Sequence, residues 1–274
     1  MTSRPSPPRL ASLMTQDPRV RRTPWIALAW LAIVLLGGML SAGAALNVPF
    51  ESLAPPSPIH PLGTDLLGRD VGLRLLAGGL RTLRMAAAAT LIAATLGSIW
   101  GLVAGHAGGW LEWLLVHAND VLLSVPGLVL ALVVIAALGQ HEATIILAVG
   151  LGGVGSYARL ARSAAAETSH RPFVMAARAL GAGEVRLLQH HVFPNTLEAL
   201  SAYALLHFGW ALVNSASLTF LGLGGAPSIP DWGQMLNESR LVFLSAPWLA
   251  AAPGTALALT VLAVQRLGEW VGKP

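Results

Sequence analysis

The 274-residue chain has no cysteine. That absence excludes disulfides, thiolate nucleophiles and cysteine metal sites, and leaves the redox compartment open. Lysine is almost missing too, Lys273 being the only one. No stretch fits Gly-x4-Gly-Lys-Ser/Thr, so the chain is not expected to hydrolyse ATP itself. Charge of either sign is scarce: 11% of residues are charged, where a soluble domain carries about a quarter.

Apolar residues fill the space, at 54% of the chain and a mean hydropathy of +0.64. About 20 apolar residues cross a hydrocarbon core as a helix. Runs of that order occur at Trp25–Leu46, Leu83–Gly105, Leu114–Leu138, Ala143–Leu160, Thr196–Phe220 and Pro247–Leu267. The sequence therefore predicts an all-α integral membrane protein with six spans. The first run follows Arg19, Arg21 and Arg22 and ends in small residues, Ser41 to Ala45, as a cleaved leader would. It is too long for a signal-peptide core and is expected to be a retained helix. Pro126 falls inside the third run, where neighbouring helices can re-satisfy the freed carbonyl.

Arginine distribution sets the expected orientation. With the N-terminus inside, twelve Lys and Arg residues lie on the cytoplasmic side and five outside, Arg69, Arg74, Arg81, Arg84 and Arg240. That matches the positive-inside tendency, with both termini cytoplasmic. The basic balance is explained by topology rather than by nucleic acid. The expected organisation is a tail at 1–24, a first span at 25–46, an extracytoplasmic linker with a short helix at 47–82, a five-helix core at 83–267 and a tail at 268–274. The linker opens with Pro55, Pro56 and Pro58, and the short helix rests on the four-residue spacings Asp65–Arg69 and Asp70–Arg74. Gly97, Gly101 and Gly105 line one face of the second span, and Gly150, Gly152, Gly153 and Gly155 crowd the fourth. Such faces admit a close backbone approach, within the bundle or between subunits.

Between the fourth and fifth runs lies "FVMAARALGAGEVRLLQHHVFPN", Phe173 to Asn195. Pro172 suits a first helical turn, Phe173 to Leu180 favours helix, Gly181 and Gly183 break it, Glu184 to His191 can form a second helix, and Pro194 is expected to stop it. A helix–glycine–helix element of this kind can dock on a partner, or rest on lipid headgroups.

The fifth run carries Tyr203, His207, Trp210, Asn214 and Ser217 at steps of four, three, four and three. One polar face in a span is expected to avoid lipid, either lining a path or bonding to neighbouring helices. Asp120, beside His117 and Asn119, is expected to bond nearby backbone, the alternative being a part in a gate or proton path. Adjacent His190 and His191 point about 100° apart on a helix, so no metal site is expected there. Ser156 with His207 could suggest an intramembrane hydrolase, but no acyl-transfer motif is complete. An ion-coupled secondary transporter would call for repeats, and none is visible.

Ala176-Ala177, Gly181 and Val192-Phe193-Pro194 resemble the EAA loop of ABC importer permeases. "HPLGTDLLGRDVGLRLLAGG" (60–79), "DVLLSVPGLVLAL" (120–132), "LTFLGLGGAPSIPDWGQML" (218–236) and "APWLAAAPGTALALTVLA" (246–263) resemble the C-type permease of dipeptide, oligopeptide and nickel importers. The resemblance implies a type I importer permease bundle in a bacterial inner membrane, with a cytoplasmic coupling loop at 161–195 and an extracytoplasmic loop at 221–246. Met175, Ala176, Ala177, Arg178, Gly181, Ala182, Gly183, Glu184 and Pro194 would couple to the ATPase. It also implies a second related permease, two ATP-binding subunits that carry ATP and magnesium, and an extracytoplasmic solute-binding protein. No cofactor is implied on this chain. Asp231 and Trp232 would contact the binding protein or substrate, or else support the fold. Short peptides are the default cargo, with nickel or a metal chelate as the alternative. Three departures stand out: Met175 where the family often has glutamate, Ser215 where many peptide-type members carry glutamate, and the tail after Gly268.

Overall fold

A computed structural model describes residues 18–41, 50–224 and 229–271. The regular elements among them are helices, and an isolated bridge joins Thr64 to Asp70. We number them α1 (Pro18–Ser41), α2 (Val71–Ala107), α3 (Gly109–Ser124), α4 (Gly127–Leu138), α5 (Glu142–Ser169), α6 (Pro172–Ala179), α7 (Glu184–Leu187), α8 (Phe193–Phe220), α9 (Trp232–Ser239) and α10 (Trp248–Val271). Five of the helical stretches are long and apolar enough to cross a membrane, and α3 with α4 makes a sixth if that bent pair is counted as one span.

Several boundaries differ from expectation, each for a local reason. The third run is not one continuous helix: α3 and α4 meet at 85°. Val125, held extended at φ −86° and ψ 123°, precedes Pro126, and a proline disfavours the helical conformation in the residue before it. The short helix expected around 65–74 does not form. Asp65 instead accepts the backbone N–H groups of Leu67 and Arg69 at 2.8 and 2.9 Å, tying a turn. Asp70 caps α2 by accepting from Leu73 N–H, so the second span starts at Val71 rather than Leu83. Helix α1 begins at Pro18, inside the expected tail; residues 1–17 and 42–49 lie outside the described residues. Helix α5 runs on to Ser169, and the first nine residues of the expected coupling loop are its last turns. Pro194 does not stop a helix. It sits in the first turn of α8, where its missing N–H is no loss, and a π-helical turn at Leu188–Val192 joins α7 to α8 without a break. The last helix likewise continues through Val271.

The core is built on α2 and α5, which run in the same direction. Lipid gives helices no hydrophobic reason to associate, so close packing must hold them. An added Cβ at Gly97 would lie 2.8 Å from the Val154 carbonyl oxygen, at Gly101 2.6 Å from Ala161 Cβ, and at Gly105 3.0 Å from Ala165 Cβ. The glycine stripe of the second span therefore serves packing inside the chain. Helix α8 closes on the same pair through Ala211 and Leu212, and α1 is pinned to α10 by Trp30 Nε1, which donates to Thr260 Oγ1 at 2.9 Å.

The elbow between the fourth and fifth spans

Helix α6 starts with Pro172 in its first turn and ends in a glycine-dependent cap. Gly181 has φ +87°, a conformation that penalises any Cβ. Ala182 N–H donates to Ala177 C=O at 3.1 Å, and Gly181 N–H to Arg178 C=O at 3.0 Å. These two bonds form a Schellman cap and reverse the chain within three residues. Gly183, in extended conformation, then starts α7 at Glu184.

One side of this elbow is anchored. Val174, Leu187 and Val192 are fully buried among Leu102, Ala161 and Ala165, with Ala177 and Ala182 packed beside them. Arg178 crosses the turn to Glu184 in a two-pronged contact, Nε to Oε1 and Nη2 to Oε2, both at 2.9 Å. The hydrogen bond to Glu184 holds the Arg178 pKa above its ordinary value. Both side chains are substantially exposed, so the pair sets shape more than stability. The other side of the elbow is bare. Leu180 is 89% exposed and Val185 70%, with Phe173 and Met175 beside them in the sequence order of α6. Ala176, Gly181 and Gly183 are exposed as well, and nothing lies within 4 Å of a Cβ built on either glycine. The arrangement is a glycine-capped turn whose outer surface sets Leu180, Val185 and small residues among exposed Arg178, Glu184 and Arg186, and whose inner surface is packed on the bundle.

The stripe on α8 divides. His207 is buried, its ring 5.7 Å from Tyr157, 6.1 Å from Tyr203 and 5.0 Å from Trp210. Its Nδ1 is 3.5 Å from Thr90 Oγ1, and Nε2 has no hydrogen-bond partner among the described residues. A Cβ on Gly153 would collide with that ring, so the fourth span's glycine makes room for it. Tyr203, Trp210, Asn214 and Ser217 are partly or fully open. Asn214 and Ser217 donate to backbone carbonyls one turn back on their own helix, at 2.9 and 2.8 Å. The hydrolase reading also loses its geometry, since His207 faces Thr90 and aromatic rings rather than Ser156.

A second stripe was missed in the sequence. Ser156, Arg159, Ser163 and Glu167 are all exposed on α5, at steps of three, four and four. The spacing is legible in the sequence, but Arg159 enters there only as one of the twelve cytoplasmic charges that set orientation. Arg159 Nη2 donates to Asp120 Oδ1 at 3.3 Å, so Asp120 pairs across helices instead of with nearby backbone. Asn119 is the residue that reaches backbone, donating to Gly155 C=O at 3.2 Å. An exposed, ion-paired guanidinium near the end of a span is not held among lipid tails, so this face is suited to water or protein. His190 and His191 lie in the π-turn.

Asp231 and Trp232 are each 0% exposed, which removes them as contacts for another protein. Asp231 caps α9, accepting from Gln234 N–H at 3.0 Å and from Thr219 Oγ1–H at 2.6 Å. Burial pushes its carboxyl above the usual range, while Thr219, Gln234 and Arg81 work against that shift. Trp232 Nε1 donates to Leu75 C=O at 2.8 Å, and its backbone N–H to Thr82 Oγ1 at 3.1 Å. The pair fastens α9 onto α2. Arg81 and Arg74, both buried, do the same work with charge. Arg81 donates to Glu142 at 3.0 Å and to the Gly224 carbonyl at 3.1 Å. Arg74 joins Asp65 at 2.5 Å to Glu238 at 2.7 Å.

The arrangement is a bundle of apolar, membrane-length helices with an elbow at one end and a strapped loop at the other, and its relatives place it among membrane-embedded transport subunits. Residues 97–273 match the family described as the binding-protein-dependent transport system inner membrane component. The chain is 34% identical to the dipeptide transport system permease protein DppC of Alkalihalophilus pseudofirmus, over 89% of this chain and 81% of that one. It is 36% identical to the glutathione transport system permease protein GsiD of Pectobacterium atrosepticum, and 38% identical to its Escherichia coli counterpart, over 78% of this chain and 71% of each relative. The fold is shared with a chain of the MetNI methionine ABC transporter solved in inward-facing conformations, at TM-score 0.60 and 19% identity, covering 73% of this chain and 94% of that one. The protein belongs to the family of inner-membrane permeases of binding-protein-dependent ABC importers. It has the type I permease fold, is a multi-pass inner-membrane transport subunit within a larger complex, and is not an enzyme; ATP is used by separate subunits.

Proposed function

We propose that this chain forms half of the translocation pathway of an importer for di- and oligopeptides. Its partners in this reading are a second related permease, two ATP-binding subunits and an extracytoplasmic solute-binding protein. Both termini and the elbow lie in the cytoplasm, in keeping with the arginine distribution. The elbow seats in the ATP-binding subunit; ATP closes that pair of subunits, the elbow moves with them, and the two permeases open outward. Each ligand shifts that equilibrium only by its differential affinity for the two states.

The observation that carries the reading is the elbow's outer surface. Leu180 and Val185 stand out on a turn that is held rigidly from behind. A projection anchored from behind, apolar at Leu180 and Val185 and charged at Arg178, Glu184 and Arg186, suits a socket in another protein. The exposed polar faces of α5 and α8 supply the path, with Ser156, Arg159, Trp210, Asn214 and Ser217 toward the second permease. The names of the relatives favour peptides as cargo, and nickel gains nothing from them.

The lack of native cysteine makes the test direct. Met175→Cys, placed in the assembled complex, should cross-link to the ATP-binding subunit and change its yield between ATP-bound and nucleotide-free states. Reaction with lipid-soluble reagents alone would refute docking. Uptake of a labelled dipeptide, competed by unlabelled tripeptide and not by nickel, tests the cargo.

A further inference from the structure

The elbow's buried side is mostly apolar, and dispersion contacts have no preferred register. One directional contact stands apart. His106, the penultimate residue of α2, has a side chain only 5% exposed. Its Nε2 lies 2.9 Å from Glu184 Oε2 and 3.2 Å from the Glu184 carbonyl oxygen, and its Nδ1 lies 3.0 Å from Ser169 Oγ. Both neighbours of Nε2 are acceptors, so Nε2 carries a proton, and Nδ1 shares a hydrogen bond with the Ser169 hydroxyl. Ser169 ends α5 and Glu184 begins α7, so one imidazole joins the ends of two core helices to the second limb of the elbow. Glu184 is also the residue that Arg178 grips from α6. Among the described residues, His106 makes the one side-chain hydrogen bond between α6–α7 and the spanning helices.

We infer that His106 is a positioning residue for energy coupling: through Glu184 it locks the elbow's register to α2 and α5, so that a displacement of the elbow is delivered to the pathway helices instead of being lost as local sliding. The inference rests on the docking proposed above. A contact of this kind is suited to the task because a hydrogen bond to the Glu184 carbonyl has a preferred direction, and the Glu184 carboxylate 2.9 Å from the same nitrogen holds the ring from a second side. Without it the elbow keeps its apolar anchor and its outer surface, and so keeps its partner, but the stroke is no longer transmitted in full.

The test uses the complete complex reconstituted in vesicles, with ATP hydrolysis and dipeptide uptake measured together. His106→Ala should raise the ATP consumed per peptide imported by about three- to tenfold, the factor commanded by one hydrogen bond. His106→Gln, whose amide can still donate toward Glu184, should restore most of the coupling. Ser169→Ala should move the ratio in the same direction by less. Amide exchange across residues 172–187 should quicken in His106→Ala and return in His106→Gln. Met175→Cys cross-linking to the ATP-binding subunit should persist in every variant. Normal coupling in His106→Ala with the cross-link intact overturns the role of His106 and leaves docking standing. Equal uncoupling in the alanine and glutamine variants also overturns it, since that pattern marks a packing role. If His106→Ala does not assemble, Ser169→Ala decides, and unchanged coupling there overturns the inference. Absence of the cross-link with His106 in place sinks the docking reading itself.

Discussion

Replacing Gly101 by alanine adds one methyl group to a helix contact that has no room for it. The new Cβ would lie 2.6 Å from Ala161 Cβ and 2.8 Å from the Arg162 backbone nitrogen, and closer still to the Ala158 carbonyl oxygen. None of these atoms is the end of a flexible side chain, so relief requires α2 and α5 to separate. Overpacking of this sort costs about 1–3 kcal/mol, and rigid backbone neighbours put this site at the upper end, about 3. Alanine recovers about 1 kcal/mol of helix propensity over glycine. The net loss should be about 2 kcal/mol. Gly209 on α8 is the matched control, because the nearest atom to its Cβ is Val261 Cγ1 at 4.0 Å. There the same substitution keeps the propensity gain without the clash and should stabilise by up to about 1 kcal/mol. The two variants, compared by denaturation of the purified chain in one detergent, should shift in opposite directions. Equal shifts would refute the view that the glycine stripe exists for close contact between α2 and α5.

Gly181→Trp strains a residue at φ +87° and places a bulky ring on the elbow's outer face, where nothing crowds it within the chain; it should insert normally yet separate ATP hydrolysis from uptake, and wild-type import would disprove docking. Asp231→Ala removes the cap of α9 and the buried acceptor of the Thr219 hydroxyl, while Arg81 keeps Glu142; a loss of about 2 kcal/mol or more is expected from the lost cap and buried hydrogen bonds, and a change under about 1 kcal/mol in the same denaturation assay would contradict it. Asn214→Leu, on the partly open face of α8, should lower dipeptide uptake with assembly intact, whereas His207→Leu, at a buried site whose Nε2 has no partner among the described residues, should leave both assembly and uptake intact. Unchanged uptake in Asn214→Leu would take α8 out of the pathway.

The elements that were legible are those whose signal is local. Apolar runs gave the spans, and Pro172, Gly181 and Gly183 gave the elbow, because a left-handed glycine cap is written in a few residues. Errors arose where tertiary contact or a single proline overrode a local rule. The spacing Asp65–Arg69 fits a helix, but both side chains are drawn into a cluster with Arg74 and Glu238, 164 positions further on, and the turn follows them. Pro194 reads as a stop, yet a π-turn upstream absorbs its missing donor. Asp231-Trp232 sits in a loop-like sequence flanked by proline and glycine, and nothing local reports that Thr219, Thr82 and Leu75 enclose it. The α5 stripe was in plain view as a period, but arginine in a membrane protein serves two ends, topology and site, and the sequence does not separate them.

Helix α2 is where these separate features meet. Its 37 residues span about 55 Å at 1.5 Å per residue, longer than the hydrocarbon core requires. Near one end Arg74 and Arg81 bind α9 and the Gly224 carbonyl, and at the other His106 binds the elbow. Between them the glycine stripe presses α2 onto α5. Buried ion pairs such as Arg74 with Asp65 and Glu238 add little net stability compared with apolar packing, but they tolerate few alternative arrangements. Their use at the end of α2 remote from the elbow therefore favours geometry over strength. A helix pair with close contact along its length and directional contacts at both ends moves as one body. In the proposed cycle a push at the elbow would then reach the far loop as tilt, without any intermediate residue having to change its rotamer. On this view coupling is more sensitive to loss of the α2–α5 contact than to any single polar residue in the pathway. Gly101→Ala, in the assembled importer, should therefore raise the ATP spent per peptide even where the subunit still assembles. If that ratio stays at its wild-type value while Gly101→Ala measurably destabilises the chain, the two helices are not the rigid link and the stroke travels through α8 instead.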